Sequence, residues 1–173
     1  SSVRGEGRTS TAMNLAVAYA QAGKRTLLVD GDLRKPGVHA WFEQEEASYG
    51  SGGLAEFLAG RSALADIAWR TNIASLHLVT AGTKFGAPTD LLTVDRIHKL
   101  LNEAASHYDV VLIDSPPMIG CIEAKLWASA CGGVLFVMEQ GRVRRRAAAK
   151  AKAELDSVNA KLLGAVLNKT SRR

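Results

Sequence analysis

The sequence predicts an α/β fold: a parallel sheet flanked by helices on both faces. Three observations lead there. A glycine-bearing segment, Gly5 to Thr11, runs directly into an alanine-rich, helix-favouring stretch. Short apolar runs recur at 25–30, 76–80, 109–114, 133–138 and 162–168, alternating with helical patterns. Three of those runs end in a polar residue, Asp30, Asp114 and Asn168. Alternating strands and helices give right-handed crossovers and a parallel sheet. Ligands of such sheets gather at the carboxyl ends of the strands, so these three side chains belong on one rim.

Taken in order, residues 12–22 favour helix and stop at Gly23. The run RTLLVD at 25–30 is continuous in apolar residues, as expected of a strand covered on both faces. A turn follows with Gly31, Asp32, Arg34, Lys35 and Pro36, then a short helical piece at 38–43 and a glycine-rich loop at 49–53. Residues 54–69 read as one or two short helices broken at Gly60, and 76–80 as a second strand closed by Ala81 and Gly82. A loop around Gly86 and Pro88 leads to 94–107, where Val94, Ile97, Leu100, Leu101 and Ala104 make a helical stripe. The strand at 109–114 is stopped by Pro116 and Pro117. A helix at 122–130, a strand at 133–138, a basic helix at 142–160 and a last strand at 162–168 complete the pattern.

The 173 residues suit one domain, and 47% hydrophobic content supports a core. The net charge of +5 arises largely at Arg142 to Arg146, in the lysines after them and at Arg172 and Arg173. That excess fits nucleic acid, anionic headgroups or a polyphosphate ligand alike, and equally a solvated helix face. Cys121 and Cys131 have neither metal-site nor disulfide-framework spacing and are expected as small buried thiols of a reducing compartment. His39, His77, His98 and His107 are dispersed, and Trp41, Trp69 and Trp127 are expected in the core or at interfaces. No apolar run is long enough to span a membrane and no signal peptide opens the chain, so a soluble intracellular domain is expected.

The chemistry concentrates at the start. Glycines let a backbone wrap an anion, and the first N–H groups of a helix point at it with the positive dipole end. The phosphate-loop pattern G-x-x-x-x-G-K-[ST] puts its first glycine at 2 and its lysine at 8, where this chain has Ser2 and Arg8. Phosphoryl transfer needs phosphates held in place, charge neutralised and a hydroxyl oriented. Gly5, Glu6 and Gly7 offer amides, Arg8 a cation and Thr9 a hydroxyl for Mg²⁺. Asp114, after four apolar residues, is a carboxylate at a strand end able to bind Mg²⁺, and Asp30 and Asp32 form a second acidic pair. A phosphate loop normally follows a buried strand. None precedes Ser1, so either residues upstream of Ser1 are missing or the sheet lacks its central strand here, and N- and C-terminal extensions are expected to lie outside the 1–173 domain.

The series GEGRTSTAMNLAVAYAQAG, TLLVDGDLRKP, AGTKFGAPTDLL, YDVVLIDSPP and LLGAVLN covers essentially the whole chain. It resembles the bacterial tyrosine kinases that form the cytoplasmic domain of exopolysaccharide and capsule co-polymerases. These belong to the deviant phosphate-loop ATPases, with the partitioning and division-site-positioning proteins, and the D-x-D-x-R-x-P run at Asp30 to Pro36 is the most discriminating feature. The resemblance implies a P-loop NTPase-like fold, ATP and Mg²⁺ as ligands, and phosphate binding by Gly5, Glu6, Gly7, Arg8, Thr9 and Ser10. It implies metal binding by Thr9, Asp30 and Asp114, activation of the incoming tyrosine hydroxyl by Asp30 and Asp32 with Arg8, and adenine contact by Asn168. It further implies a membrane-embedded polysaccharide co-polymerase or activator segment as partner, a homo-oligomer, a protein tyrosine substrate, no nucleic acid, and a place at the inner face of the bacterial plasma membrane. The chain departs from the family at Arg8, where lysine is usual, at Arg4, where proline is usual, and at Gly132, where an acidic residue is usual. Its tyrosines, Tyr19, Tyr49 and Tyr108, are scattered instead of clustered. Two other readings follow from the departures: a catalytically impaired nucleotide-binding regulatory subunit, or a partitioning-type ATPase.

Overall fold

The structure is a computed structural model that describes residues 1, 3, 5–42, 52–83 and 88–170. Arg4, the loop at 49–51, Gly86 and the terminal Arg172 and Arg173 lie outside the described residues. The elements are α1 (Arg8–Gln21), β1 (Thr26–Asp30), α2 (Leu54–Leu58), α3 (Leu64–Ile67), β2 (Trp69–Arg70) and β3 (Leu76–Val79). They continue as α4 (Pro88–Leu91), α5 (Val94–His107), β4 (Val110–Asp114), α6 (Ile122–Ala130), β5 (Val134–Glu139), α7 (Arg145–Asp156) and β6 (Leu162–Asn168). One 3₁₀ turn lies at His39–Trp41.

β1 is the centre of a sheet ordered β2-β3-β1-β4, parallel to β3 on one side and β4 on the other. All five of its residues are buried, as its continuous apolar run requires. Successive side chains go to opposite faces. Leu27 and Val29 enter a core with Ile97 and Leu100 of α5 and Trp127 of α6, whereas Leu28 enters one with Met13, Ala16 and Ala20 of α1. The sheet is thus covered on both faces. Among the described residues β5 and β6 pair parallel as a second sheet, and β4 ends the first. α7 and α6 pack together over Phe136 of β5 through Ala124, Ala151 and Leu155.

The structure shifts several expected boundaries. α1 starts at Arg8, so the hydroxyl residues Thr9, Ser10 and Thr11 lie inside its first turns and not before them. The basic helix is shorter than the 142–160 expectation, because Arg144 is extended and Asn159 has φ 53. Ala68 leaves the helical region, and Trp69 and Arg70 pair antiparallel with Leu78 and His77. The loop before α5 contains the short α4. Both cysteines are half-buried and not fully so, with burial pushing the Cys131 thiol up to about 11. Trp127 is a core residue, whereas Trp41 is 53% exposed. Among the described residues no helix is long and apolar enough to cross a membrane.

Candidate functional site

The loop that precedes α1 is shaped by two glycines in the left-handed region, Gly5 at φ 82 and Gly7 at φ 85. Gly7 is also the N-cap of α1 and has no side chain to offer the helix. The first N–H groups of α1 have no intrahelical acceptor and remain available to a ligand. No larger residue fits at Gly7: an added Cβ would lie 2.0 Å from Nδ2 of Asn168. Asn168, at the end of β6, donates through Nδ2 to Glu6 O at 3.1 Å, so this strand end touches the loop itself. Glu6 is 1% exposed, and its Oε2 accepts from Val3 N at 2.9 Å, bending the segment before the helix.

Asp30 and Asp114 end neighbouring strands on the same rung of the β1–β4 ladder. Asp114 reaches the first turn of α1: Thr9 Oγ1 donates to Asp114 Oδ2 at 2.6 Å across 105 residues of sequence. Burial raises the Asp114 pKa above the ordinary carboxylate range, opposed by the Thr9 hydroxyl and the Arg8 charge, while Asp32 adds to the rise. Asp30 is fully buried and pushed up to about 6 by burial, with Asp114 contributing, against the pull of three backbone amides. Those amides organise the turn. Asp30 Oδ2 accepts from Gly37 N at 2.9 Å and Val38 N at 3.0 Å, and Oδ1 accepts from Asp32 N at 3.3 Å. Asp32 accepts from Lys35 N through Oδ1 at 3.0 Å.

Arg8 is set among these acids. Burial lowers its pKa below that of an ordinary arginine, and Asp114, Asp32 and Glu6 counter the effect by favouring the charged form. Its Nη1 donates to Ser1 Oγ at 3.0 Å. Of the predicted residues, Gly5, Glu6, Gly7, Arg8, Thr9, Asp30, Asp32, Asp114 and Asn168 therefore lie around one rim, and Ser10 lies in the first turn of α1. Within it the contacts pair Thr9 with Asp114 and Asn168 with the loop, while Asp30 braces the 32–38 turn.

This arrangement suits a cation bound beside an anion. Two neighbouring carboxylates with raised pKa values hold negative charge that a divalent ion would relieve. Among the described residues no three His, Cys, Asp or Glu side chains are grouped to hold a metal ion by themselves. Mg²⁺ needs no such cage, since it takes one or two carboxylates and completes its shell with water and phosphate oxygens.

Several contacts of the site carried no sequence signal. Arg34 Nε pairs with Oε1 of Glu123 at 2.7 Å, tying the 31–36 turn to α6, and Glu123 is 2% exposed. Trp127 Nε1 donates to Gly31 O at 3.2 Å and fixes the same turn from below. Glu139, Arg142 and Lys169 line the outside of the loop. Each joins segments distant in sequence, and no local pattern reports such a contact.

A family model described as an AAA domain matches residues 4–140. The tyrosine-protein kinase YwqD of Bacillus subtilis is 37% identical over 164 residues, covering 95% of this chain and 68% of that protein. The chain belongs to the bacterial tyrosine-kinase family. Tyrosine-protein kinase CpsD of Streptococcus agalactiae is 36% identical over 167 residues, covering 96% of this chain and 71% of that protein. Among solved structures, the chimerical protein CapA2B2 superposes with a TM-score of 0.90 at 34% identity, covering 99% of this chain and 74% of that one. The kinase domain of the Escherichia coli tyrosine kinase ETK gives 0.88 at 27% identity, with 100% and 68% covered. The division protein MinD of Pyrococcus horikoshii, solved with Mg-ADP, shares the fold at a TM-score of 0.81 and 22% identity.

Proposed function

We propose that this chain transfers the γ-phosphoryl group of ATP to a tyrosine hydroxyl of a protein, with Mg²⁺, as the catalytic domain of a polysaccharide co-polymerase system at the inner face of the bacterial plasma membrane. The observation that carries the reading is the 2.6 Å contact between Thr9 Oγ1 and Asp114 Oδ2, which brings a hydroxyl of the first turn of α1 and a strand-end carboxylate to one point. Thr9 and Asp114 would hold Mg²⁺, with Asp30 adding negative charge behind them. The ion, when bound, neutralises charge on the phosphates. The loop amides and Arg8 bind and orient the triphosphate.

Asp32 takes the proton of the tyrosine hydroxyl. The phenolic oxygen bonds to the γ-phosphorus as the bond to the bridging oxygen breaks, and ADP leaves with that electron pair. Asp32 suits the role better than Asp30, because Asp30 already accepts three backbone amides, whereas Asp32 accepts one. A membrane-embedded regulator or activator segment, and assembly with further copies, complete the proposal.

Incubating the full-length protein with γ-labelled ATP and Mg²⁺ tests it. Label recovered on protein tyrosine is expected. Free phosphate alone would indicate a partitioning-type ATPase, and bound nucleotide without turnover a regulatory subunit.

A further inference from the structure

The outer wall of the phosphate loop is built by residues outside every motif. Lys169 follows β6, and its Nζ donates to Gly5 O at 3.0 Å and to Glu139 Oε2 at 3.1 Å. Glu139 ends β5 on the same rung as Asn168 and also accepts from Arg142 Nη1 at 3.2 Å. The Arg142 guanidinium lies over Gly5, where an added Cβ would come within 2.8 Å of Nη1.

Three successive carbonyls of the loop are thereby engaged. Gly5 O accepts from Lys169, Glu6 O from Asn168 Nδ2 at 3.1 Å, and Gly7 O from Thr11 N at 2.9 Å and Thr11 Oγ1 at 2.7 Å. In a trans peptide the carbonyl and the next N–H point in opposite directions. Each engaged carbonyl turns the next amide, of Glu6, Gly7 and Arg8 in turn, away from its own partner and leaves it free of those contacts, and successive free N–H groups are what make an anion-binding nest. Lys169 itself has φ 54, a left-handed conformation uncommon for a residue with a side chain. Its own N–H is held by Asn168 Oδ1 at 2.8 Å. Backbone held in such a region marks a position the surroundings over-determine.

We propose that Lys169, held by Glu139, acts with Asn168 as a clamp that presets the amides of the phosphate loop for the terminal phosphates of a nucleotide. These are positioning residues and need not touch the ligand. The inference rests on the nucleotide-binding reading of this loop. A simple surface ion pair is the competing account. Lys169 is half exposed, and exposed pairs add little to global stability, so the two accounts separate when folding and loop order are measured independently.

The test uses the full-length protein. Amide exchange of the loop is followed without nucleotide, Mg-ATP affinity is measured by calorimetry, and the unfolding midpoint is recorded for each variant. Lys169→Met is expected to speed exchange at Glu6, Gly7 and Arg8 and to weaken Mg-ATP about tenfold, the scale of one hydrogen bond to a charged group, with the midpoint unchanged. Lys169→Arg is expected to restore both, and Glu139→Gln to give an intermediate loss. Unchanged exchange in Lys169→Met, or failure of Lys169→Arg to rescue, would overturn the clamp. A wild type that binds no Mg-ATP would refute the nucleotide reading, while the exchange measurement would still decide whether Lys169 orders the loop.

Discussion

Thr9 Oγ1 donates to Asp114 Oδ2 at 2.6 Å, joining the first turn of α1 to the end of β4. The contact sets a hydroxyl and a carboxylate side by side at the N-terminal, electropositive end of a helix. Thr9→Val removes the hydroxyl and keeps the shape. The Mg²⁺ concentration that half-saturates nucleotide binding is expected to rise about tenfold, equivalent to about 1.4 kcal/mol, as read by titration of Mg²⁺ at fixed ATP. No change would remove Thr9 from the metal assignment.

Arg8 stands where the phosphate-loop pattern has lysine. Its guanidinium is planar and larger than an ammonium, and one of its nitrogens is already engaged by Ser1 Oγ at 3.0 Å. Arg8→Lys is expected to raise turnover by about tenfold, or about 1.4 kcal/mol of transition-state stabilisation. Steady-state rates on a tyrosine peptide check this. An unchanged or lower rate would mean that Arg8 is adapted to its setting among Asp114, Asp32 and Glu6.

The fold was legible wherever local pattern and tertiary setting agree. The run at 26–30 forms a strand buried along its whole length, whereas those at 110–114 and 162–168 form strands that are half-buried and largely exposed respectively. β2 escaped notice because two residues carry no periodicity, and its pairing depends on β3. α1 begins four residues earlier than its alanines suggest, because Gly7 in the left-handed region lets the helix start at Arg8. In the site, the acids at strand ends and the hydroxyl after the glycines were readable from spacing. The contact of Asn168 with Glu6 O, across 162 residues, and the Glu139–Lys169 pair, across 30, were not, since each joins segments that meet only in the fold.

Trp127 joins the core to the site. Its ring packs with Leu27 and Val29 while Nε1 donates to Gly31 O. Trp127→Phe retains an aromatic ring but leaves a buried carbonyl without that donor, a cost of about 2 kcal/mol. Urea unfolding of the two proteins measures it. A loss below about 0.5 kcal/mol would show that another donor, such as water, serves the Gly31 carbonyl.

Asp109 and Arg25 make a surface pair at 2.7 Å, and hydrogen bonds from the Arg25 side chain and backbone hold the Asp109 pKa down to about 2. A depressed carboxylate stabilises the fold above its unfolded pKa of about 4, and the contribution is lost as pH falls through the folded value. Wild type is therefore expected to exceed Asp109→Asn in stability at neutral pH, with the difference closing between about pH 4 and 2. Denaturation midpoints across that range test the sign. A difference that grows on acidification would contradict it.

Asp114 and the phosphate loop are expected to bind one nucleotide through one divalent ion. Calorimetric titration of ATP into wild type and Asp114→Ala, each with Mg²⁺ and with EDTA, tests it most directly. Wild type is predicted to bind ATP more tightly with Mg²⁺ than with EDTA, and Asp114→Ala to lose that advantage. Equal Mg²⁺ enhancement in the two proteins would contradict the claim.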